Sequence, residues 1–184
     1  VNWRGLSATP EEIGRKRINR APSPIVANGL PWLTIMLASM ASFSPVIASA
    51  PVMPPLAYMM LLAWRMLRPG MLPVWAGLPL GFVDDLYSGQ PFGSGIVLWS
   101  ATMLAMEIID ERFLWRGFIQ DWLTASVLTT AYLVLCSAIA GLATRYPLPI
   151  VIVPQLLLSL VLYPVVTGLV AMLDRVRLLP LKRL

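Results

Sequence analysis

Six apolar runs divide this chain, and nearly every cation falls between or beyond them. They cover residues 30–50, 52–67, 71–87, 92–109, 122–142 and 148–173. A helix needs about 20 apolar residues to cross a bilayer core, so six crossings would use about 120 positions; the chain has 184. Hydrophobic residues make up 58% of it and charged residues 12%, against a charged share of about 25% in soluble domains. A soluble globule of this size has neither the interior to hide that much apolar surface nor the polar groups to cover it. The pattern predicts an all-α integral membrane protein, a six-transmembrane-helix bundle spanning 30–174, with a basic N-terminal tail at 1–29 and a basic C-terminal tail at 175–184.

The cations fix an orientation. With both termini cytoplasmic, every one of the 14 Lys and Arg residues except Arg145 falls on the cytoplasmic side, as basic loops do in membrane proteins. The net charge of +5 is thus read as a topology signal with a tail that docks on anionic membrane lipid, not as a nucleic-acid surface. Trp32, Trp64, Trp115 and Trp122 fall near the inner boundaries, and Tyr87 and Tyr146 near the outer ones, where aromatic belts sit. Ala48-Ser49-Ala50 resembles a signal-peptidase site, but the length of the run and the five that follow favour an uncleaved span. The second run is short. It is tilted, extended by snorkelling Arg65 and Arg68, or it thins the bilayer locally. Pro22 and Pro24 are expected to break any helix ahead of the first span, and Pro45, Pro79, Pro154 and Pro164 to kink or interrupt the spans that hold them.

The catalytic inventory is thin. There is no His, and the single Cys, Cys136, lies in an apolar run. That removes imidazole acid–base chemistry, His or multi-Cys metal sites and an internal disulfide. No cofactor, metal or catalytic residue is expected. Glu107 reads as a snorkelling or Arg-paired carboxylate, and Ser100, Thr129, Thr130 and Gln155 as helix–helix hydrogen bonders.

One segment has specific chemistry. Gly77, Gly81, Asp85, Gly89 and Gly93 recur at steps of four, and positions four apart share a helix face. Gly77 and Gly81 then form a groove where another helix approaches closely, and Asp85 turns into the bundle beside them. Gly89 and Gly93 fall past the helix, in a tight turn. Asp85 lies at the C-terminal end of its helix, against the dipole, so a compensating group is needed. The candidates are the free N–H groups at the start of the fourth run, Phe92 to Gly95, and Arg145. Asp84 is rotated about 100° from Asp85, and either acid is a candidate for the inward position. An acid near the boundary is affordable without a partner, so Asp85 is expected to serve partner assembly more than folding.

The pattern Gly81-x-x-x-Asp85-Leu86-x-x-Gly89-x-x-x-Gly93 resembles the signature region of MreD, the rod shape-determining membrane protein family of bacteria. Length, span count and basic inner termini agree with that family; Asp84 is an acid beyond the motif. The resemblance implies a non-enzymatic scaffold of the cell-elongation machinery in the inner membrane, which binds an MreC-like single-span protein. Through it the scaffold would act with the MreB filament, a RodA-type glycosyltransferase and its transpeptidase in peptidoglycan synthesis. It also implies a fold resembling the substrate-binding subunits of energy-coupling-factor transporters. The alternative reading is such a vitamin-binding subunit. Those subunits commonly carry Ala-x-x-x-Ala on the first span, whereas here Ala38 is followed by Ser42 and Ala41 by Pro45.

Overall fold

The computed structural model describes residues 24–41, 53–112, 117–144 and 149–177. Arg145, Tyr146, Trp115, Ser42, Pro45, Pro22, Ala48-Ser49-Ala50 and most of both tails lie outside them. Among the described residues there are six α-helices and no strand: α1 (Pro24–Ala41), α2 (Leu56–Leu67), α3 (Gly77–Tyr87), α4 (Ser94–Arg112), α5 (Phe118–Thr144) and α6 (Pro149–Arg177), with a 3-10 turn, Val74–Ala76, leading into α3. Two helices, α5 and α6, contain stretches long and apolar enough to cross a membrane.

The shortest of the long apolar segments is the centre of the bundle. Every residue of α2 from Ala57 to Met66 is buried. A helix that is apolar all round belongs inside a protein, and α2 is enclosed by α1, α5 and α6, with α4 reached through side chains. Tyr58 stacks on Tyr132 of α5 at 4.1 Å and meets Trp99 of α4 edge-on at 6.1 Å. Its hydroxyl lies 2.9 Å from Thr102 Oγ1 and 3.3 Å from the Leu128 carbonyl. Trp64 corrects its placement in an interfacial belt: it is 1% exposed, and its indole N–H donates to Thr34 Oγ1 of α1 at 3.0 Å. Trp32 is half-buried against Trp75 at the surface.

The long helices behave oppositely. Only 22% of each membrane-length window in α5 and α6 is buried, and Val127, Val134, Val161 and Val165 stand exposed. The prolines are absorbed without loss of helix. α1 begins at Pro24, ahead of the first apolar run, and contains Pro31, and α6 runs through Pro154 and Pro164. Pro79 sits in the first turn of α3, where an N–H has no intrahelical acceptor. Pro164 frees the carbonyl of Leu160 one turn back, and the Trp122 indole of α5 donates to it at 3.4 Å. The proline thereby supplies an acceptor that ties α5 to α6.

Candidate functional site

The step-of-four residues come together where α3 turns into α4. Their geometry starts from missing side chains. A Cβ on Gly77 would stand 2.8 Å from Ser100 Cα and from the Trp99 carbonyl oxygen, and one on Gly81 would stand 2.6 Å from the Gly95 carbonyl oxygen. Facing them, a Cβ on Gly95 would meet Asp85 Oδ1 at 2.6 Å. Backbone touches backbone here, an approach only glycine allows. Gly89 and Gly93 carry φ of 65° and 96°. Both values favour glycine, and they turn the chain back so that α4 lies along α3.

That turn delivers the first N–H groups of α4 to Asp85. Asp85 Oδ2 accepts from Gly93 N at 2.9 Å and Ile96 N at 3.3 Å, and Oδ1 accepts from Gly95 N at 2.7 Å, with Ser94 Oγ at 3.5 Å. The carboxylate is 6% exposed. It caps a helix other than its own, and the positive end of the α4 dipole offsets the negative end of α3. The sequence points to partner assembly for Asp85; these bonds give it a structural task within the chain, because both oxygens are already taken by backbone donors. The other candidate counter-charge, Arg145, is outside the described residues.

Asp84 is also buried, at 5% exposure, but on another side. It faces Ser39 of α1, and Tyr132 and Cys136 of α5 are close enough to feel its charge. Both acids thus point inward, one at α4 and the other at α1 and α5. Gln90 sits above them, its Oε1 3.4 Å from Ser94 Oγ and 3.3 Å from Cys136 Sγ.

A second polar cluster occupies the opposite end. Arg65 is 3% exposed. Its guanidinium donates to Glu107 and pairs with Asp110 of α4 at 3.2 Å, and Nη1 reaches the Leu72 carbonyl at 3.5 Å. Asp174 of α6 takes Arg68 at 2.8 Å and Arg177 at 3.0 Å. The expectation of a snorkelling Arg65 is corrected: α2 is central, so its cation finds carboxylates on α4 before it finds water. Glu107 is paired with arginine. The roles of Asp110, Asp174, Ser39 and Trp99 have no local signal in the sequence, since each partner lies on a distant helix.

Chemically, these clusters hold helices. Among the described residues no group of three His, Cys, Asp or Glu side chains is placed to hold a metal ion. The chain matches no family model, no curated protein and no solved structure.

Proposed function

We propose that this chain is a non-enzymatic, six-span scaffold of the bacterial cytoplasmic membrane, acting in the cell-elongation machinery as members of the MreD family do. Both termini face the cytoplasm, and its direct partner is an MreC-like single-span protein. Through that partner it influences the MreB filament and the RodA-type glycosyltransferase with its transpeptidase. The observation that carries the reading is the clasp itself. Gly81, Asp85, Gly89 and Gly93, the residues of the MreD-like pattern, each have a task in one unit: close approach, capping, and two left-handed turns.

The clasp makes the α3–α4 hairpin rigid. It leaves Trp75, Leu78, Phe82 and Leu86 exposed on its far side, with Phe92 edge-on to Phe82 at 5.8 Å. Such a preordered apolar face loses little conformational entropy when a partner helix docks, and recognition of this kind needs no bond made or broken. Capture of the tagged full chain from bacterial membranes should recover the MreC-like protein, and Phe82→Ser should lose it at normal membrane levels. Reporter fusions at Ser88 and Tyr146 should read extracytoplasmic, and fusions after Leu184 cytoplasmic. Failure to recover that partner under gentle solubilisation, with normal rod growth in a deletion strain, refutes the scaffold reading.

A further inference from the structure

The sides of this bundle differ in height. The apolar stretches of α5, Phe118–Gly141, and of α6, Ile152–Arg177, have 24 and 26 residues. At 1.5 Å per residue they rise about 36 and 39 Å, enough for a hydrocarbon core of about 30 Å. α2 is short, but it is enclosed, so lipid does not measure its length. α3 is short and faces outward, with Trp75, Leu78, Phe82 and Leu86 exposed. Its 11 residues and the 3-residue 3-10 turn before it together rise about 22 Å.

The segments that flank α3 set how far hydrocarbon can reach along it. The chain is not helical at 68–73 or at 88–93. Arg68, Pro69 and Gly70 in the first of these segments are exposed, as are Gly89 and Phe92 in the second. Irregular backbone open to lipid does not occur within the hydrocarbon core, because its N–H and C=O groups find no water there. Both segments therefore belong at or beyond the edge of that core, and tilting α3 would only lower its height. The exposed Arg68 side chain suits the headgroup level, where a long cationic side chain reaches phosphate and water. Trp75, ringed by Trp32 at 5.5 Å, lies at the same end of α3, as interfacial aromatics do. The core that meets α3 is thus at most about 22 Å thick, about 8 Å less than an ordinary bilayer. Thinning of the bilayer is one way a short apolar surface is accommodated.

We propose that the α3 face thins the bilayer locally and gathers phospholipids of short acyl chain, while α5 and α6 stand in membrane of ordinary thickness. The inference rests on the reading of the chain as a membrane-spanning bundle and not on the identity of a partner. A partner helix that docks on α3 displaces this lipid.

The test is spin-label depth in the full chain, reconstituted in dioleoylphosphatidylcholine on a Cys136→Ser background. Single labels are placed at Pro69→Cys and Phe92→Cys in the flanking segments, at Leu78→Cys on α3, and at Leu157→Cys and Leu169→Cys on α6. Depth is read from collision rates with oxygen, which favours hydrocarbon, and with a nickel chelate, which stays in water. The labels at Pro69 and Phe92 should meet nickel several-fold more often than the label at Leu78. The α6 labels, about 18 Å apart, should match Leu78. Equal nickel access at the flanking and α6 labels, with Leu78 in hydrocarbon, overturns the thinning. Nickel access at all five positions refutes the membrane-spanning reading itself.

The unsubstituted chain gives a second measurement that needs no variant to fold. In mixed bilayers of brominated dimyristoleoyl and plain dierucoyl phosphatidylcholine, quenching of tryptophan should exceed that expected from the mole fraction of the short lipid. With the bromine moved to the long lipid, quenching should fall below expectation. Quenching that follows mole fraction in both mixtures overturns the proposal.

Discussion

The two ends of this bundle solve the same electrostatic problem with different parts. At one end Asp85 draws its compensation from the backbone, through the N–H groups of Gly93, Gly95 and Ile96. At the other, Glu107, Asp110 and Asp174 draw theirs from Arg65, Arg68 and Arg177. Backbone donors are short, so the helices must nearly touch, and the glycines cluster there. Guanidinium groups sit on long stems, so the ion pairs at the other end form without requiring backbone to touch backbone. Backbone compensation fixes a helix pair in one position. Side-chain compensation tolerates a change of spacing.

The largest expected effect tests the rigid end. Gly81→Leu places a side chain where a Cβ alone would stand 2.6 Å from the Gly95 carbonyl oxygen. Overpacking costs about 1–3 kcal/mol where side chains can yield, and occasionally more; here the obstacle is backbone. The variant should fail to accumulate as a monodisperse protein on size-exclusion chromatography. Recovery at wild-type level would mean that α3 and α4 separate freely, and the contrast between the ends would collapse.

Next in size is Arg65→Ala at the side-chain end. Removing one partner of a buried pair costs about 3–5 kcal/mol, because the remaining charge is left uncompensated. The lower figure applies here, since the Glu107 side chain is 46% exposed and water screens it. The unfolding midpoint should fall by about 6–12 °C. Arg65→Met with Glu107→Gln and Asp110→Asn should recover most of the loss, since replacing a whole buried ion cluster with neutral groups is often tolerated.

The ends also differ in how far the sequence reveals them. Asp85 and its glycines are separated by single helical turns, so helical spacing alone aligns Gly77, Gly81 and Asp85. The turn residues Gly89 and Gly93 then leave α4 one place to go. Arg65 meets Glu107 across 42 positions, and Arg68 meets Asp174 across 106. Those pairs exist only because α2 lies between α4 and α6, and periodicity gives no sign of that arrangement. The shortness of the second run is a related case. Read alone, it suggests a tilted or mismatched span; in the bundle it marks the helix that the others surround. Asp84 shows the remaining limit, because an acid's neighbours on α1 and α5 depend on packing that no local pattern encodes.

Asp85→Ala is the third test, and it weighs one end's mechanism directly. Three N–H groups of α4 lose a charged acceptor, and α4 loses its cap. A lost cap costs about 0.5–2 kcal/mol, and the unmet donors raise the total to about 2–3 kcal/mol. Asp85→Asn keeps one acceptor oxygen and should lose about half as much. Both losses should appear in the unfolding midpoint before any partner is added. A variant as stable as wild type that fails only in partner capture would return Asp85 to the role its position near the boundary suggests, and would weaken the clasp as a structural unit.

The smallest expected effect belongs to Arg68→Ala, and it asks whether the side-chain end has slack. Arg68 is 46% exposed in its side chain, and its ion pair with Asp174 competes with water. Exposed pairs contribute about 0–1 kcal/mol. Asp174 is the buried member, at 8% exposure of its side chain, and Arg177 holds its other oxygen at 3.0 Å from within the same helix. Loss of Arg68 therefore leaves the buried carboxylate with a cation, in contrast to Arg65, whose loss takes from Glu107 and Asp110 the guanidinium they share. The midpoint should drop by no more than about 3 °C, and Arg68→Ala combined with Arg177→Ala should drop it by more than the sum of the single changes. Additive losses would mean that the two arginines act independently on Asp174. Side-chain compensation would then be as unforgiving as the backbone clasp at the opposite end.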